Sequence, residues 1–270
     1  MPILHLHQRD MYYEDHGSGF PLLLLGHSYL FDAEMWRPQI AALSKHYRVI
    51  VPDLWGHGRS AALPESHHAL TCLAQDYLAL LDSLNIDRFA VIGLSVGGMW
   101  GTELAALASE RCAALVLMDT FVGREPEVSH QRYFAMLDAI EQAGTIPAAL
   151  AAQIAPLFFR KTPEPALLMA LNQRLASLPA ETLRHSIVPL GRMIFGRPDR
   201  CELLTQLTMP ALVVTGAEDQ PRPPLEGYLM AEMLRCRQEV VSAAGHICTL
   251  EQPQAVNQLL LDFLRNVLPS

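Results

Sequence analysis

A single serine stands among glycines in the stretch AVIGLSVGG, where Ser95 lies between Gly93 and Gly97 in the pattern G-x-S-x-G. A β-branched apolar run precedes the pattern and a helical pattern follows it. In that setting the serine occupies a strained strand-to-helix turn that projects its hydroxyl above the sheet. Glycine is required there because side chains would collide with the neighbouring strand and helix. The pattern therefore predicts a nucleophilic serine.

A serine hydroxyl is a weak nucleophile until a base takes its proton and a carboxylate orients that base. The predicted base is His246, which follows the final predicted strand, Glu239-Val240-Val241, and precedes the last helix. Loops at the carboxyl ends of strands are where α/β sheets place their sites. The predicted acid is Asp219, after the run at 211–214, with Asp119 after the preceding run as the alternative.

The carbonyl oxygen that the serine attacks becomes an anion, and backbone N–H groups are expected to bind it. Each such donor lowers the barrier by about 3 kcal/mol. One donor is predicted at Val96, the residue after the nucleophile. The second is predicted in the loop after the run at 22–25, and we assign it to Tyr29.

Elements that could position these groups recur along the chain. Continuous runs of Val, Ile and Leu are typical of strands covered on both faces of a parallel sheet, and they lie at 22–25, 49–51, 90–92, 114–117 and 211–214. Helical apolar stripes cover 73–84 and the segment after Pro253. Alternating segments around 3–8 and 11–15 predict an antiparallel hairpin at the sheet edge. The fold class is therefore α/β, a mostly parallel sheet flanked by helices.

Between residues 121 and 205 the sequence contains no further run typical of a buried strand, and prolines interrupt the helical patterns there. We predict a core formed by residues 1–120 and 206–270, with 121–205 inserted as a helical cap. The cap is more apolar than a solvated linker. Its candidate substrate contacts are Phe121, Phe158, Met193 and Ile194, although each also fits ordinary core packing.

Composition excludes several other classes of protein. The net charge of −8 and the absence of Lys/Arg runs argue against nucleic-acid binding. Neither a signal peptide nor a membrane span is evident, so a cytoplasmic protein is expected. The five cysteines are scattered and form no zinc or disulfide pattern, and no phosphate-binding loop is present. We expect no metal or cofactor, and His5 with His7 at most an adventitious two-histidine site.

Taken in order, these segments resemble the α/β-hydrolase superfamily over nearly the whole chain. The resemblance rests on Gly26-His27 before Trp36, on the segment 53–60, on the turn at Ser95, on Gly216 with Asp219, and on Gly245-His246 with Glu251 and Pro253. It implies that the segment 53–60 is a structural loop and that His57 is a scaffold residue. Many relatives have His-Gly where this chain has His27-Ser28. The backbone path of this loop, and with it the assignment of Tyr29 as an N–H donor, depends on that difference.

The resemblance implies small cofactor-free carboxylesterases, enol-lactone hydrolases or metal-free perhydrolases. We expect hydrolysis of a carboxylic ester of a small, largely apolar acid through an acyl-enzyme. An enol-lactone hydrolase, or an acyltransferase or perhydrolase using the same triad, is the alternative. A small-ligand receptor without catalysis is an alternative of another class, because some members of the superfamily bind a hormone in the same pocket. The expected partner is a small ester or lactone, with a homo-oligomer possible in solution.

Overall fold

A single mixed sheet organises the protein, for which the computed structural model describes residues 2–19 and 22–268. Within that part of the chain the eight strands are β1 (Ile3–Leu6), β2 (Arg9–His16), β3 (Leu22–Gly26), β4 (Arg48–Pro52), β5 (Phe89–Leu94), β6 (Cys112–Met118), β7 (Ala211–Gly216) and β8 (Arg237–Val241). Their order is β1-β2-β4-β3-β5-β6-β7-β8. The hairpin β1–β2 is antiparallel and β2 pairs antiparallel with β4, whereas all the later pairs are parallel.

Helices connect and cover the strands. They are α1 (Arg37–Leu43), α2 (Leu70–Ser83), α3 (Val96–Leu107), α4 (Glu127–Ala143), α5 (Ala148–Ile154), α6 (Pro165–Ser177), α7 (Ala180–Thr182), α8 (Val188–Phe195), α9 (Cys201–Gln206), α10 (Pro224–Leu234), α11 (Cys248–Glu251) and α12 (Pro253–Val267). Short 3₁₀ turns cover Ala33–Trp36 and Ala155–Phe158, and Leu183–Ile187 forms a π-helical turn.

The apolar runs become the centre of the sheet. All six residues of β5 are buried, because β3 and β6 flank this strand and α3 packs against it. Parallel strands covered on both faces need such continuous apolar sequence. The predicted α/β architecture and the edge hairpin are both confirmed.

The hairpin turn differs in detail from the prediction. His7 and Gln8 form the turn between β1 and β2 and both have positive φ, 53° and 59°. His7 therefore lies in the turn and not on one strand face with His5. His5 Nδ1 lies 2.9 Å from Asp10 Oδ1, while His7 contacts Asp76 on α2.

Between β6 and β7 the described elements are all helices, α4 to α9. Leu137 and Ile140 of α4 are buried, and α4 packs against α8. Among the residues that the structure describes, we find no helix long and apolar enough to span a bilayer. The cytoplasmic location and the homo-oligomer stay predictions.

Candidate active site

Ser95 lies at the sharp turn between β5 and α3. Its backbone angles, φ 58° and ψ −121°, fall in a region that side-chain-bearing residues rarely adopt. A conformation of this kind costs about 1–3 kcal/mol and persists only where the surroundings hold it. Here the Ser95 N–H donates to Met118 O at 2.9 Å, and the Thr120 hydroxyl donates to Ser95 O at 2.6 Å. The strand next to β5 thus fixes the turn.

The glycines beside Ser95 allow backbones to approach closely. A Cβ on Gly93 would lie 2.2 Å from Gly97 O, and one on Gly97 would lie 2.2 Å from Gly26 O. Carbon and oxygen cannot approach so closely without a backbone shift, so α3 could not start directly above the ends of β3 and β5. Steric exclusion therefore explains both glycines of the G-x-S-x-G pattern.

His246 and Asp219 meet as an orientated, buried pair. The Nδ1–H of His246 donates to the Asp219 carboxylate, at 2.9 Å from Oδ2 and 3.1 Å from Oδ1. Both side chains are almost fully buried. With Nδ1 engaged in this way, Nε2 is the nitrogen free to accept a proton from an attacking hydroxyl. Ser95 and His246 line the same cavity.

Asp119, the alternative acid, lies behind this pair. Its side chain is completely buried, and its Oδ1 accepts the N–H of Gly216 at 2.7 Å. Burial raises the pKa of Asp119 well above its ordinary value, and the negative charge of Asp219 raises it further. The neutral carboxylic acid is therefore the form of Asp119 that the folded protein favours. The imidazole of His246 contacts Asp219 and not this second acid.

The loop after β3 presents the predicted second anion donor. The N–H of Leu30 donates to His57 Nε2 at 3.1 Å, and the N–H of Ser28 contacts Met35 Sδ at 3.3 Å. Tyr29 lies between these two residues, whose N–H groups already have acceptors, and it lines the cavity. Val96 is the first residue of α3, so its N–H has no acceptor within the helix. These are the two amides that we proposed as donors from the sequence.

Two buried histidines hold that loop in place. His57 Nδ1–H donates to Trp55 O at 3.0 Å, and His27 accepts the N–H of Leu54 at 2.8 Å. Burial lowers the pKa of His57 to about 3 and that of His27 to about 4, so both are neutral near pH 7. Neutral imidazoles with both nitrogens engaged fit a structural role.

A narrow cavity of about 80 Å³ opens beside Ser95. Its walls are largely apolar and come mostly from the helices between β6 and β7; they include Tyr133, Met136, Leu137, Ile140, Ile154, Leu157, Phe158, Ile194 and Phe195. Of the four contacts expected from the sequence, Phe158 and Ile194 line it. Met193 lines a different cleft beside Arg197, and the Phe121 ring lies over Gly123.

Arg222 brings one permanent positive charge to the cavity wall, and that charge is already paired. Its guanidinium donates to Glu125 at 2.6 Å, and Arg197 donates to the same carboxylate at 2.9 Å. All three side chains are nearly fully buried. The N–H of Arg222 also donates to Asp219 Oδ1 at 3.0 Å, so the ion cluster adjoins the acid of the pair.

Glu251 ties the loop of His246 to the helical segment above it. Its carboxylate accepts the N–H of Gly245 at 2.6 Å and that of Arg160 at 3.1 Å. In addition, the N–H of Ile247 donates to Phe158 O at 2.9 Å. The backbone on both sides of His246 is therefore anchored to the residues that precede α6.

Sequence reasoning missed the ion cluster and the cavity residues of α4. Glu125 and Arg222 lie 97 positions apart, and no local pattern connects them. The apolar residues of α4 could be assigned to a buried face from their spacing, but not to a cavity. Glu251 was noted only as part of the resemblance.

Comparison with known proteins agrees with this geometry. The model of the alpha/beta hydrolase fold family matches residues 21–253. The chain belongs to the α/β-hydrolase family. It is thus a hydrolase by family, as the sequence motifs predicted.

Three similar proteins indicate the range of chemistry in this family. The chain is 30% identical to "3-oxoadipate enol-lactonase 2" of Acinetobacter baylyi, over 88% of this chain and 86% of that protein. It is 30% identical to a putative carbamate hydrolase of Stutzerimonas stutzeri, over 94% and 96%. The structure of a thermophilic esterase from Thermogutta terrifontis is similar with a TM-score of 0.84 and 28% identity, over 96% and 94% of the two chains.

Proposed function

We propose that this α/β-hydrolase is a serine carboxylesterase that cleaves esters of small, apolar acids. The observation that carries the proposal is the strained turn at Ser95, which opens on the same cavity as a histidine whose Nδ1 is held by a buried carboxylate. A nucleophile, a base and an orienting acid are what acyl transfer requires.

In the proposed reaction, Ser95 Oγ attacks the ester carbonyl carbon while His246 Nε2 takes the hydroxyl proton. The negative charge that develops on the carbonyl oxygen is bound by the N–H groups of Val96 and Tyr29. Asp219 stabilises the imidazolium, which then protonates the departing alkoxide as the carbon–oxygen bond breaks. His246 next takes a proton from water, the hydroxide attacks the acyl-enzyme, and Ser95 leaves with the proton restored.

The segment 121–205, which contains helices α4 to α8 and most of α9, is proposed as the cap that forms the acyl pocket. These helices supply most of the apolar cavity wall. Without them, the apolar surface next to Ser95 would be exposed to water. Among the described residues that line the cavity, Arg222 alone is permanently charged, and its guanidinium already pairs with Glu125 at 2.6 Å and with Glu226 at 3.6 Å. A free carboxylate on the acyl chain would have to be desolvated there without a partner. We therefore propose a neutral, apolar acyl group.

Lactone hydrolysis is the second candidate, and the enol-lactonase similarity favours it. A lactone is a cyclic ester, so the same residues would perform the same steps, with the alcohol still attached to the acyl group. Transfer of the acyl group to an alcohol or to hydrogen peroxide in place of water gives the acyltransferase and perhydrolase alternatives. Rates on lactones and open-chain esters, with product analysis, separate these activities.

The test is hydrolysis of p-nitrophenyl esters from acetate to long acyl chains, together with labelling by a fluorophosphonate. Ser95→Ala should abolish both turnover and labelling, whereas Ser177→Ala, on the exposed part of α6, should keep them. A neutral butyrate ester should be cleaved faster than the matched monoester of succinate. Full turnover in Ser95→Ala or His246→Ala would refute the serine mechanism, and preference for the succinate ester would refute the neutral pocket.

A further inference from the structure

A second group of chemically reactive side chains lies where the N-terminal hairpin meets α2. His7 of the hairpin turn, His67 of the loop before α2 and Asp76 of α2 come together. His7 Nε2 lies 2.7 Å from Asp76 Oδ1, and His67 Nε2 lies 2.6 Å from Asp76 Oδ2. The three ligand-type atoms all lie within 4.8 Å of one another. Two imidazole nitrogens thus lie around one carboxylate, each in contact with a different oxygen.

We propose that His7, His67 and Asp76 form a binding site for a divalent transition-metal ion, with Zn²⁺ as the best fit. Zinc binds histidine nitrogen and carboxylate oxygen at about 2.0–2.2 Å, with tetrahedral geometry. Tetrahedral bonds of that length place ligand atoms about 3.4 Å apart. The imidazole nitrogen that contacts the ligating oxygen of Asp76 would therefore move away from it by less than about 1 Å as the ion enters, and each imidazole would carry its remaining proton on Nδ1.

The surroundings of Asp76 and His67 match those of a metal site. The indole N–H of Trp55 donates to Asp76 Oδ2 at 2.7 Å and orients the carboxylate. The hydroxyl of Ser66 lies 3.4 Å from His67 Nδ1, where it can accept the proton that metal binding places on that nitrogen. Outer partners of this kind fix ring orientation and strengthen metal ligands.

Access and backbone conformation also favour the site. The side chains of His67 and Asp76 are buried, whereas that of His7 is 40% exposed. An ion can therefore enter from solvent and keep water as its fourth ligand, an open position. Two-residue hairpin turns with positive φ strongly prefer Asn-Gly, yet this turn has His7 and Gln8. The contacts of the His7 side chain help to offset that conformational cost.

An ion bound here would link the hairpin, the loop and α2. Within the described residues, none of these three segments lines the Ser95 cavity, so the site is distinct from the active site and does not depend on the proposed function. The sequence alone predicted no metal, because the ligands are spaced 60 and 9 positions apart and form no zinc motif. Binding should stabilise the fold, since the unfolded chain has no preformed site.

Titration of the EDTA-treated full chain with ZnCl₂ tests the proposal. Calorimetry measures how many ions bind per chain, and thermal unfolding measures how much the bound ion stabilises the fold. One ion should bind per chain, and a hundredfold excess over the Kd should raise the Tm by about 5 °C. His7→Ala should weaken binding at least tenfold. His5→Ala and His68→Ala are matched controls that remove neighbouring histidines outside the cluster and should bind as the wild type does. MgCl₂ should have no effect, because magnesium prefers oxygen ligands.

His7→Ala is the primary variant because its side chain is half-exposed, whereas Asp76→Asn also removes a buried partner of Trp55 and His67. Visible absorption of the Co²⁺ form adds an independent readout, since thiolate ligation would give sulfur-to-metal charge-transfer bands. Equal Zn²⁺ affinity in His7→Ala, no binding to the wild type, or thiolate bands would each overturn the proposal.

Discussion

The two buried carboxylates beside His246 provide a sharp test of the site. Asp219 accepts the Nδ1–H of His246 with both oxygens, whereas Asp119 lies behind it and favours its neutral form. In the proposed mechanism, Asp219→Asn removes the charge that stabilises the imidazolium and disturbs the tautomer of His246. We expect kcat/KM to fall about 10⁴-fold, equivalent to about 5 kcal/mol of transition-state stabilisation.

Asparagine at residue 119 should behave differently, because it replaces a neutral carboxylic acid with a neutral amide. The carbonyl oxygen of the amide can still accept the N–H of Gly216. Since no charge is lost next to His246, we expect kcat/KM to stay within about tenfold of the wild type, or about 1.4 kcal/mol. Asp119→Ala should instead unfold more easily by about 1–3 kcal/mol, because it leaves that buried N–H without an acceptor.

The free energy of unfolding should also depend on pH through Asp119. Because the side chain is buried, this free energy should decrease as pH rises. In the unfolded chain this carboxyl titrates near its ordinary pKa of about 4. In the folded protein its pKa is raised, so folding takes up a proton above that pH. The contribution of Asp119 to stability therefore falls as pH rises towards the folded-state pKa, by up to about 1.4 kcal/mol per unit. Asp119→Asn removes this loss and should gain stability relative to the wild type as pH rises above the ordinary pKa of about 4.

The assay combines p-nitrophenyl butyrate turnover with urea unfolding at several pH values, with circular dichroism to verify the fold. Equal loss of activity in Asp119→Asn and Asp219→Asn would refute the division of roles between the two acids. So would a stability difference between Asp119→Asn and the wild type that does not change with pH.

Three further predictions concern the support of the site. Gly97→Ala should destabilise the protein by about 3 kcal/mol or more, seen as a lowered urea midpoint, because its Cβ would lie 2.2 Å from Gly26 O. Glu125→Gln should cost about 3–5 kcal/mol of unfolding free energy, since two buried guanidinium groups lose their shared anion. Glu251→Ala should lower kcat more than it raises KM, because the amide before His246 loses its acceptor at 2.6 Å.

Each of these variants has a control. Gly144→Ala changes a helix-terminal glycine whose Cβ would approach other atoms no closer than 3.9 Å, and it should cost only the about 1–2 kcal/mol of its left-handed conformation. Glu181→Gln removes an exposed carboxylate, and Gln254→Ala removes an exposed amide on α12; both should be nearly neutral. A variant that behaves like its control would contradict the role given to that residue.

Much of the fold and of the candidate site could be predicted from local sequence patterns. Continuous apolar runs predicted the central strands, because strands covered on both faces cannot alternate with polar residues. The glycines around Ser95 predicted the turn, since only glycine permits the approach of Gly97 to Gly26. His246 and Asp219 could be predicted to lie together because both follow strands of one parallel sheet, and the ends of such strands meet at one edge.

Tertiary structure decided what no local pattern records. Which acid contacts His246 depended on the packing that buries Asp119 behind Asp219, and both acids follow strands in the sequence. The pairing of Glu125 with Arg222 and the convergence of His7 with Asp76 join residues 97 and 69 positions apart. Sequence periodicity specifies which face of an element is buried, whereas only the packed chain brings distant charged side chains within hydrogen-bond distance.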